Sequence, residues 1–216
     1  MSRKDDYERM DTNKYLNLNL KTDGLPLPDV NAQFIEFFHR MDYKWWRDVE
    51  EGDVVVDIGA CVGFFVCHAL DRKASRIFAI EPSRPHLKTL IQNISDHYID
   101  NSTTPVIPIE AGIGSTSNHF NNVFSEYREF KRMSFLDLVV DYNIPKIDYL
   151  KIDCEGGEYG IFNDMNMEYL TTNVKHMAVE FHLSCYGGAA KQWIKVRDTL
   201  LKATFPSVLK GFVELF

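Results

Sequence analysis

The sequence predicts an α/β fold, a three-layer αβα sandwich around a mainly parallel β-sheet. Strand-like and helix-like segments alternate from residue 54 to residue 201. The first is a run of three valines at residues 54–56, which is typical of a strand buried on both faces. No internal repeat or linker interrupts the alternation. In such a fold the ligand crevice lies at the carboxyl ends of the strands.

The first half of the alternation ends at residue 109. Apolar and β-branched runs predict strands over residues 54–56, 76–80 and 105–109. Residues 64–70 predict the first helix. The second helix runs from Ser83, a favourable N-cap residue, to Tyr98, because apolar side chains recur there at three- and four-residue steps.

The second half begins with a helix whose start and end are both indicated by the sequence. Ser134 and Asp137 resemble a capping box that opens this helix, and Pro145 prevents its continuation. Apolar runs then predict strands over residues 147–152 and 177–181, and helices over residues 159–170 and 189–201.

The chain is predicted to form one domain over residues 51–216, with residues 1–50 as an N-terminal arm and helix packed on its core. Residues 1–30 are polar and rich in asparagine. Apolar side chains then recur at helical spacing: Phe34, Phe37, Phe38, Met41 and Trp45. Residues 208–215 resemble a short antiparallel hairpin. We therefore expect the terminal strands of the sheet to be shortened or absent.

Composition favours an ordinary globular protein of 216 residues, 45% hydrophobic and 25% charged. Lys and Arg total 24 against 31 Asp and Glu, and the net charge of −7 argues against broad binding to nucleic acid or anionic membranes. No apolar run reaches the ~20 residues needed to span a bilayer, and the charged N-terminus lacks the apolar segment of a signal peptide. The four cysteines lack disulfide or zinc spacing. We therefore expect a cytosolic (cytoplasmic) domain with reduced thiols.

The sharpest chemical motif lies between the first strand and the first helix and reads Asp57-Ile58-Gly59-Ala60-Cys61-Val62-Gly63. Gly59 permits a turn that a Cβ would hinder, and Gly63 lets helix and strand approach closely. Amides at the start of a helix bind anionic groups such as a carboxylate. Asp57 can accept a hydrogen bond from an ammonium group.

Glu81 follows the second strand, about 20 residues after Gly59, where α/β nucleotide-binding folds place the carboxylate that binds ribose hydroxyls. The glycine spacing is not G-x-G-x-x-G, so a dinucleotide with a pyrophosphate fits poorly. S-adenosylmethionine, a nucleoside with an amino-acid arm, fits better.

Two further polar groups end later strands. The segment Lys151-Ile152-Asp153-Cys154-Glu155-Gly156-Gly157-Glu158 holds ionisable residues that cannot all be buried unpaired. Glu180 and His182 flank Phe181 and point to the same side of the fifth strand. A histidine there can act as a general base or bind a metal.

These motifs resemble the FkbM family of class I S-adenosylmethionine-dependent methyltransferases. The matching blocks occur in family order, at residues 54–65, 80–82, 87–94, 110–114, 148–158 and 179–180. The K-I-D-x-E-G-x-E block is the most specific of them. The resemblance implies a seven-stranded Rossmann-like sheet and methyl transfer to oxygen, often to a sugar or natural-product hydroxyl.

The resemblance also implies site residues. Cofactor contacts would come from Asp57, Gly59, Ala60, Gly63, Phe64, Glu81, Pro82, Glu110, Ala111 and Asp153. In that set the glycine turn would hold the methionine part of the cofactor, and Glu81 would hold the ribose. Glu110 and Ala111 would border the adenine. Asp153, Glu180 and His182 are the candidate catalytic residues, and each is a candidate base. Cys61 stands where the family usually has asparagine.

We therefore expect an S-adenosylmethionine-dependent O-methyltransferase whose acceptor is a small molecule, such as a carbohydrate, and whose partners include neither nucleic acid nor membrane. Two other function classes stay open, a nicotinamide-dependent oxidoreductase and a non-catalytic module that keeps the fold. We expect no metal, although a divalent ion at the carboxylate–histidine group is an alternative. The sequence indicates neither the acceptor's identity nor the oligomeric state.

Overall fold

The structure is a computed structural model that describes residues 20–22, 47–98, 103–114, 130–182 and 189–202. The helix predicted within residues 31–50 lies largely outside these ranges, and the hairpin predicted over residues 208–215 lies wholly outside them. The division into residues 1–50 and 51–216 stays a prediction. No helix of the described ranges is long and apolar enough to cross a membrane.

Strands and helices alternate along the described ranges. The strands are β1 (Val54–Ile58), β2 (Arg76–Ile80), β3 (Val106–Ile109), β4 (Gly112–Ile113), β5 (Arg132–Met133), β6 (Tyr149–Ile152) and β7 (Met177–Val179). The helices are α1 (Phe64–Asp71), α2 (Arg84–Tyr98), α3 (Phe135–Asp141), α4 (Glu158–Ile161), α5 (Asp164–Asn173) and α6 (Ala189–Lys202).

The main sheet of the described residues is parallel throughout and has the spatial order β3-β2-β1-β6-β7. From β1 the chain builds outward to β2 and β3 on one side, and later to β6 and β7 on the other. The order therefore reverses between β1 and β6. Open α/β sheets bind ligands at this kind of switch point, outside the carboxyl ends of the strands.

Helices cover both faces of the sheet, as the valine run at the start of β1 predicts. On one face Val55 and Ile77 pack in a cluster with α1 and with Leu90 of α2. On the other face Val56 and Leu150 pack in a second cluster, which includes residues of α3, α5 and α6. The predicted three-layer αβα architecture is confirmed, because alternate side chains of each strand are buried on opposite faces.

Two predicted helix starts are present in the structure. Ser134 Oγ accepts a hydrogen bond from the Asp137 N–H at 3.0 Å, and the Asp137 carboxylate accepts one from the Ser134 N–H at 3.4 Å. This is the capping box that the sequence predicts. The Ser83 carbonyl accepts the Leu87 N–H at 2.8 Å in the first turn of α2.

The structure corrects the predicted helix over residues 159–170, which is two helices, α4 and α5. The Asn163 side chain accepts hydrogen bonds from the N–H groups of Met165 and Asn166, so it caps a new helix after α4 ends. The fifth strand ends at Val179 rather than at residue 181. The sequence also did not predict the short parallel pair β4–β5.

Candidate active site

The predicted site residues lie at one edge of the sheet, where four parallel strands end. Asp57 is in β1, and Glu81 directly follows β2. Asp153 directly follows β6, and Glu180 and His182 follow β7. β1 and β6 pair in register, with Asp57 opposite Lys151. The motifs at residues 57–63 and 151–158 therefore meet at the switch point.

The glycine turn after β1 is pressed against the end of β6. Gly59 has φ +85°, and a Cβ added to it would lie 1.7 Å from the Asp153 carbonyl oxygen. The N–H groups of Gly59 and Ala60 both donate to the Ile80 carbonyl at 2.9 Å, which ties the turn to β2. A residue with a side chain at position 59 would force β1 and β6 apart.

The end of this turn packs against α2. Gly63 has φ +93°, and a Cβ there would lie 2.9 Å from Leu90 Cγ. The close approach predicted for Gly63 therefore exists, but it is between α1 and α2 rather than between a helix and a strand. Cys61 also adopts a left-handed conformation, φ +48°, which asparagine adopts more readily than most residues do.

Lys151 is buried and connects the glycine turn to the carboxylates of Asp57 and Asp153. Its Nζ donates to the Gly59 carbonyl at 2.9 Å and lies 3.1 Å from Asp57 Oδ1 and 3.6 Å from Asp153 Oδ2. Burial alone would lower the pKa of this ammonium group, but the charges of Asp57 and Asp153 outweigh it and raise that pKa. The lysine is therefore charged and holds the ends of β1 and β6 together.

Asp57 lies beneath the turn and is fully buried. Neither of its carboxylate oxygens accepts a hydrogen bond of good geometry from the described residues, although Lys151 Nζ is close to one of them. A buried carboxylate of this kind is suited to a positively charged neighbour. The prediction that it holds the cofactor's ammonium group stays a prediction, since the contacts in the structure connect it to the turn through Lys151.

Glu81 has a carboxylate whose orientation is fixed by backbone groups. Its Oε2 accepts the Cys61 N–H at 2.9 Å and its Oε1 accepts the Ser83 N–H at 2.7 Å. His86 Nδ1 lies 3.7 Å from Oε1. Burial opposes the charged form of His86, but hydrogen bonds with Cys61 and Glu81 raise its pKa to about 11. Oε2, which lies away from His86 Nδ1, keeps a second lone pair for a further donor.

His182 is surrounded by carboxylates on both sides of its ring. Its Nδ1 lies 2.9 Å from Glu158 Oε1. Its Nε2 lies 3.4 Å from Glu155 Oε2, 3.7 Å from Asp153 Oδ1 and 3.9 Å from Glu180 Oε1. Burial opposes the charged imidazolium, but Glu158, and then Glu155 and Asp153, raise the pKa of His182 to about 10.

Glu158 has a role that its place in the sequence did not predict. It is fully buried, and its Oε1 accepts the Cys154 N–H at 3.0 Å as well as bonding to His182. The Tyr159 hydroxyl donates to the His182 carbonyl at 3.1 Å. Glu158 thus holds the ring of His182, and Tyr159 holds its backbone. A glutamate in the first turn of a helix looks like a favourable helix start, so its sequence position alone would not have identified it.

The remaining predicted cofactor residues border the same edge with different degrees of exposure. Ala60 and Phe64 are buried, and Pro82 is half-buried. Glu110 is exposed, with Oε2 3.3 Å from Arg84 Nε, whereas Ala111 is completely buried. Of the pair predicted to border the adenine, only Glu110 therefore presents a side chain at the surface.

The sequence profile of the Methyltransferase FkbM domain matches residues 57–206. This span covers most of the chain and every candidate site residue from Asp57 to His182. The chain belongs to the FkbM methyltransferase family. The predicted family and the predicted Rossmann-like α/β fold are both confirmed.

One relative of this FkbM domain is the hexuronic acid methyltransferase AglP of Haloferax volcanii. It is 27% identical over 149 residues, which are 63% of this chain and 59% of AglP. The chain thus aligns with only about three fifths of that relative.

Solved structures also resemble it at 13% identity. The Escherichia coli protein yhhF, a candidate methyltransferase, gives a TM-score of 0.37 over 72% of this chain and 66% of its own. The precorrin 8w decarboxylase of Methanobacterium thermoautotrophicum gives 0.35 over 90% of this chain and 64% of its own.

The contact between Gly59 and β6 predicts a stability difference between two glycine variants. Gly52 has nearly the same φ, +89°, but a Cβ there meets nothing within 4 Å. Gly52→Ala should therefore cost only the left-handed strain, about 1–2 kcal/mol. Gly59→Ala should cost a further ~1–3 kcal/mol from overpacking against the Asp153 carbonyl. Urea unfolding of both variants measures the free energy of unfolding. Equal losses of stability would show that the glycine turn after β1 does not pack tightly against β6.

Proposed function

We propose that the protein is an S-adenosylmethionine-dependent methyltransferase that methylates a hydroxyl group of a sugar or another small molecule. The observation that carries the proposal is the Glu81 carboxylate, held by two backbone amides beside the glycine turn at the end of β2. A carboxylate in that position suits two adjacent ribose hydroxyls. Membership of the FkbM family supports a methyl donor as the nucleoside.

The residues around the turn fit this cofactor in size and charge. Gly59 has no room for a Cβ beside the Asp153 carbonyl, so the turn lies directly against the end of β6. The buried carboxylate of Asp57 favours the ammonium group of an amino-acid arm. Glu81 favours the ribose. When bound, the cofactor supplies an electrophilic methyl group on its sulfonium.

Asp153, Glu180 and His182 are suited to act on the acceptor. A hydroxyl loses its proton when its oxygen is methylated, and a group at the strand ends must receive that proton. With a pKa of about 10, His182 already holds a proton at neutral pH and stabilises negative charge instead. The carboxylates of this group are therefore the better proton acceptors, and alignment of the two reactants contributes the rest of the acceleration.

We propose hexuronic acids as the first acceptors to test, because of the similarity to AglP. AglP is a hexuronic acid methyltransferase, and this chain aligns with 59% of it at 27% identity. Hexuronic acids offer several hydroxyls and one carboxylate. The two other function classes have no observation in their favour, since the turn lacks the G-x-G-x-x-G spacing and the strand ends hold ordered acidic residues.

A binding experiment on Glu81 tests the cofactor assignment. Glu81→Gln keeps the size of the side chain but removes its charge and one acceptor oxygen. Affinity for S-adenosylhomocysteine, measured by calorimetry, should fall about tenfold or more, the scale of one hydrogen bond to a charged group. The exposed Glu168→Gln should leave the affinity unchanged. Wild-type protein that bound 2′-deoxy-S-adenosylhomocysteine equally well would contradict contact between Glu81 and the ribose.

A transfer experiment tests the reaction. Methyl-tritiated S-adenosylmethionine is incubated with a panel of hexuronic acids and neutral sugars, and incorporated label is counted. We expect label in a hexuronic acid and a loss of turnover of about 10²-fold or more in Asp153→Asn. Asp164→Asn, at the exposed start of α5, is the matched control. Label in none of the sugars would contradict the acceptor class, and full turnover in Asp153→Asn would contradict its role.

A further inference from the structure

We propose that Asp153, Glu180 and His182 form a binding site for one divalent cation of the Mn²⁺ or Mg²⁺ type at the acceptor side of the crevice. The cation would hold oxygen atoms of the acceptor. This inference deepens the proposed function and rests on it for the identity of the acceptor, but binding of the ion itself does not depend on that function.

Three ligand atoms converge beyond the ends of β6 and β7. One oxygen from each of Asp153 and Glu180 and one nitrogen of His182 all lie within 4.8 Å of one another. His182 Nε2 is 3.7 Å from Asp153 Oδ1 and 3.9 Å from Glu180 Oε1. These distances exceed hydrogen-bond lengths of about 2.7–3.2 Å. They are longer than the ~3 Å that separates adjacent ligands around an ion with bonds of about 2.1 Å, so the three side chains would move inward by less than ~1 Å to bind one.

The orientation of the His182 imidazole also suits a metal ligand. His182 Nδ1 is bonded to Glu158 Oε1, so Nε2 faces Asp153 and Glu180. Metal-binding histidines commonly bond their other nitrogen to a carboxylate in this way, which fixes the ring. The ion would displace the Nε2 proton that His182 holds at neutral pH without it. Glu158 is fully buried, and its Oε2 accepts no hydrogen bond from the described residues. A buried carboxylate is costly to hold, and here it sets the direction of Nε2.

Each ligand is anchored separately before any ion arrives. Asp153 donates its N–H to the Ile58 carbonyl at 2.9 Å, and its Oδ2 is near Lys151, which leaves Oδ1 on the side of His182. Glu180 donates its N–H to the Ile152 carbonyl at 2.9 Å. Anchoring of this kind holds ligands within the small tolerance that a metal site requires.

The donor set identifies the class of ion. Two carboxylates and one imidazole form a mainly oxygen site, which suits Mn²⁺ or Mg²⁺ better than a thiophilic ion. Glu155 Oε2, 3.4 Å from Nε2, adds a third carboxylate at the rim. An anionic acceptor such as a hexuronic acid would be repelled by these carboxylates, and a divalent ion between them removes that repulsion.

The test is a Mn²⁺ titration of the full chain after treatment with a chelator, followed by electron paramagnetic resonance of free Mn²⁺, with no cofactor or acceptor present. We expect one saturable site per chain that Mg²⁺ displaces. Glu180→Gln and His182→Gln should each weaken binding about tenfold or more, whereas Glu168→Gln should not change it. Circular dichroism and urea unfolding verify that each variant is folded.

Two outcomes would overturn the proposal: no stoichiometric Mn²⁺ binding by the wild type, or Mn²⁺ binding that folded Glu180→Gln and His182→Gln both retain in full. Binding of Zn²⁺ without Mn²⁺ would overturn the assignment to a hard cation. Failure here leaves binding of S-adenosylhomocysteine unaffected, so it is distinguishable from a failure of the proposed function.

Discussion

The buried ammonium group of Lys151 is the interaction on which the candidate active site depends. It joins the Gly59 carbonyl to the carboxylates of Asp57 and Asp153, at the point where the strand order reverses. Without this cation, two carboxylates would lie close together at the buried junction of β1 and β6, which is unfavourable in a medium of low polarity. The same residue therefore sets the shape of the glycine turn and the direction of the Asp153 carboxylate.

A second buried group, Glu158, orients His182 in the way that Lys151 orients the glycine turn. It fixes the ring of His182, and the ring then faces the carboxylates of Asp153 and Glu180. The two anchors approach Asp153 from opposite sides, since its Oδ2 faces Lys151 and its Oδ1 faces His182. Asp153 thus connects the two halves of the candidate site.

The sequence predicted the sheet well because its signals are local. A β-branched run at residues 54–56 and the capping box at Ser134 identify their elements whatever the rest of the chain does. The break at Asn163 was not predicted, because apolar spacing continues across it and only the cap interrupts the helix. Strand ends also predicted that Asp153 and His182 would lie near each other. The anchoring role of Glu158 could not be predicted, because it depends on how α4 packs beside the end of β7.

The central claim is that the crevice between the ends of β1 and β2 binds S-adenosylmethionine. Calorimetric titration of the wild-type chain with S-adenosylhomocysteine, and separately with NAD⁺, tests it most directly. We expect saturable one-to-one binding of S-adenosylhomocysteine and no binding of NAD⁺. Binding of NAD⁺ alone would contradict the claim in favour of an oxidoreductase, and binding of neither ligand would contradict it in favour of a non-catalytic module.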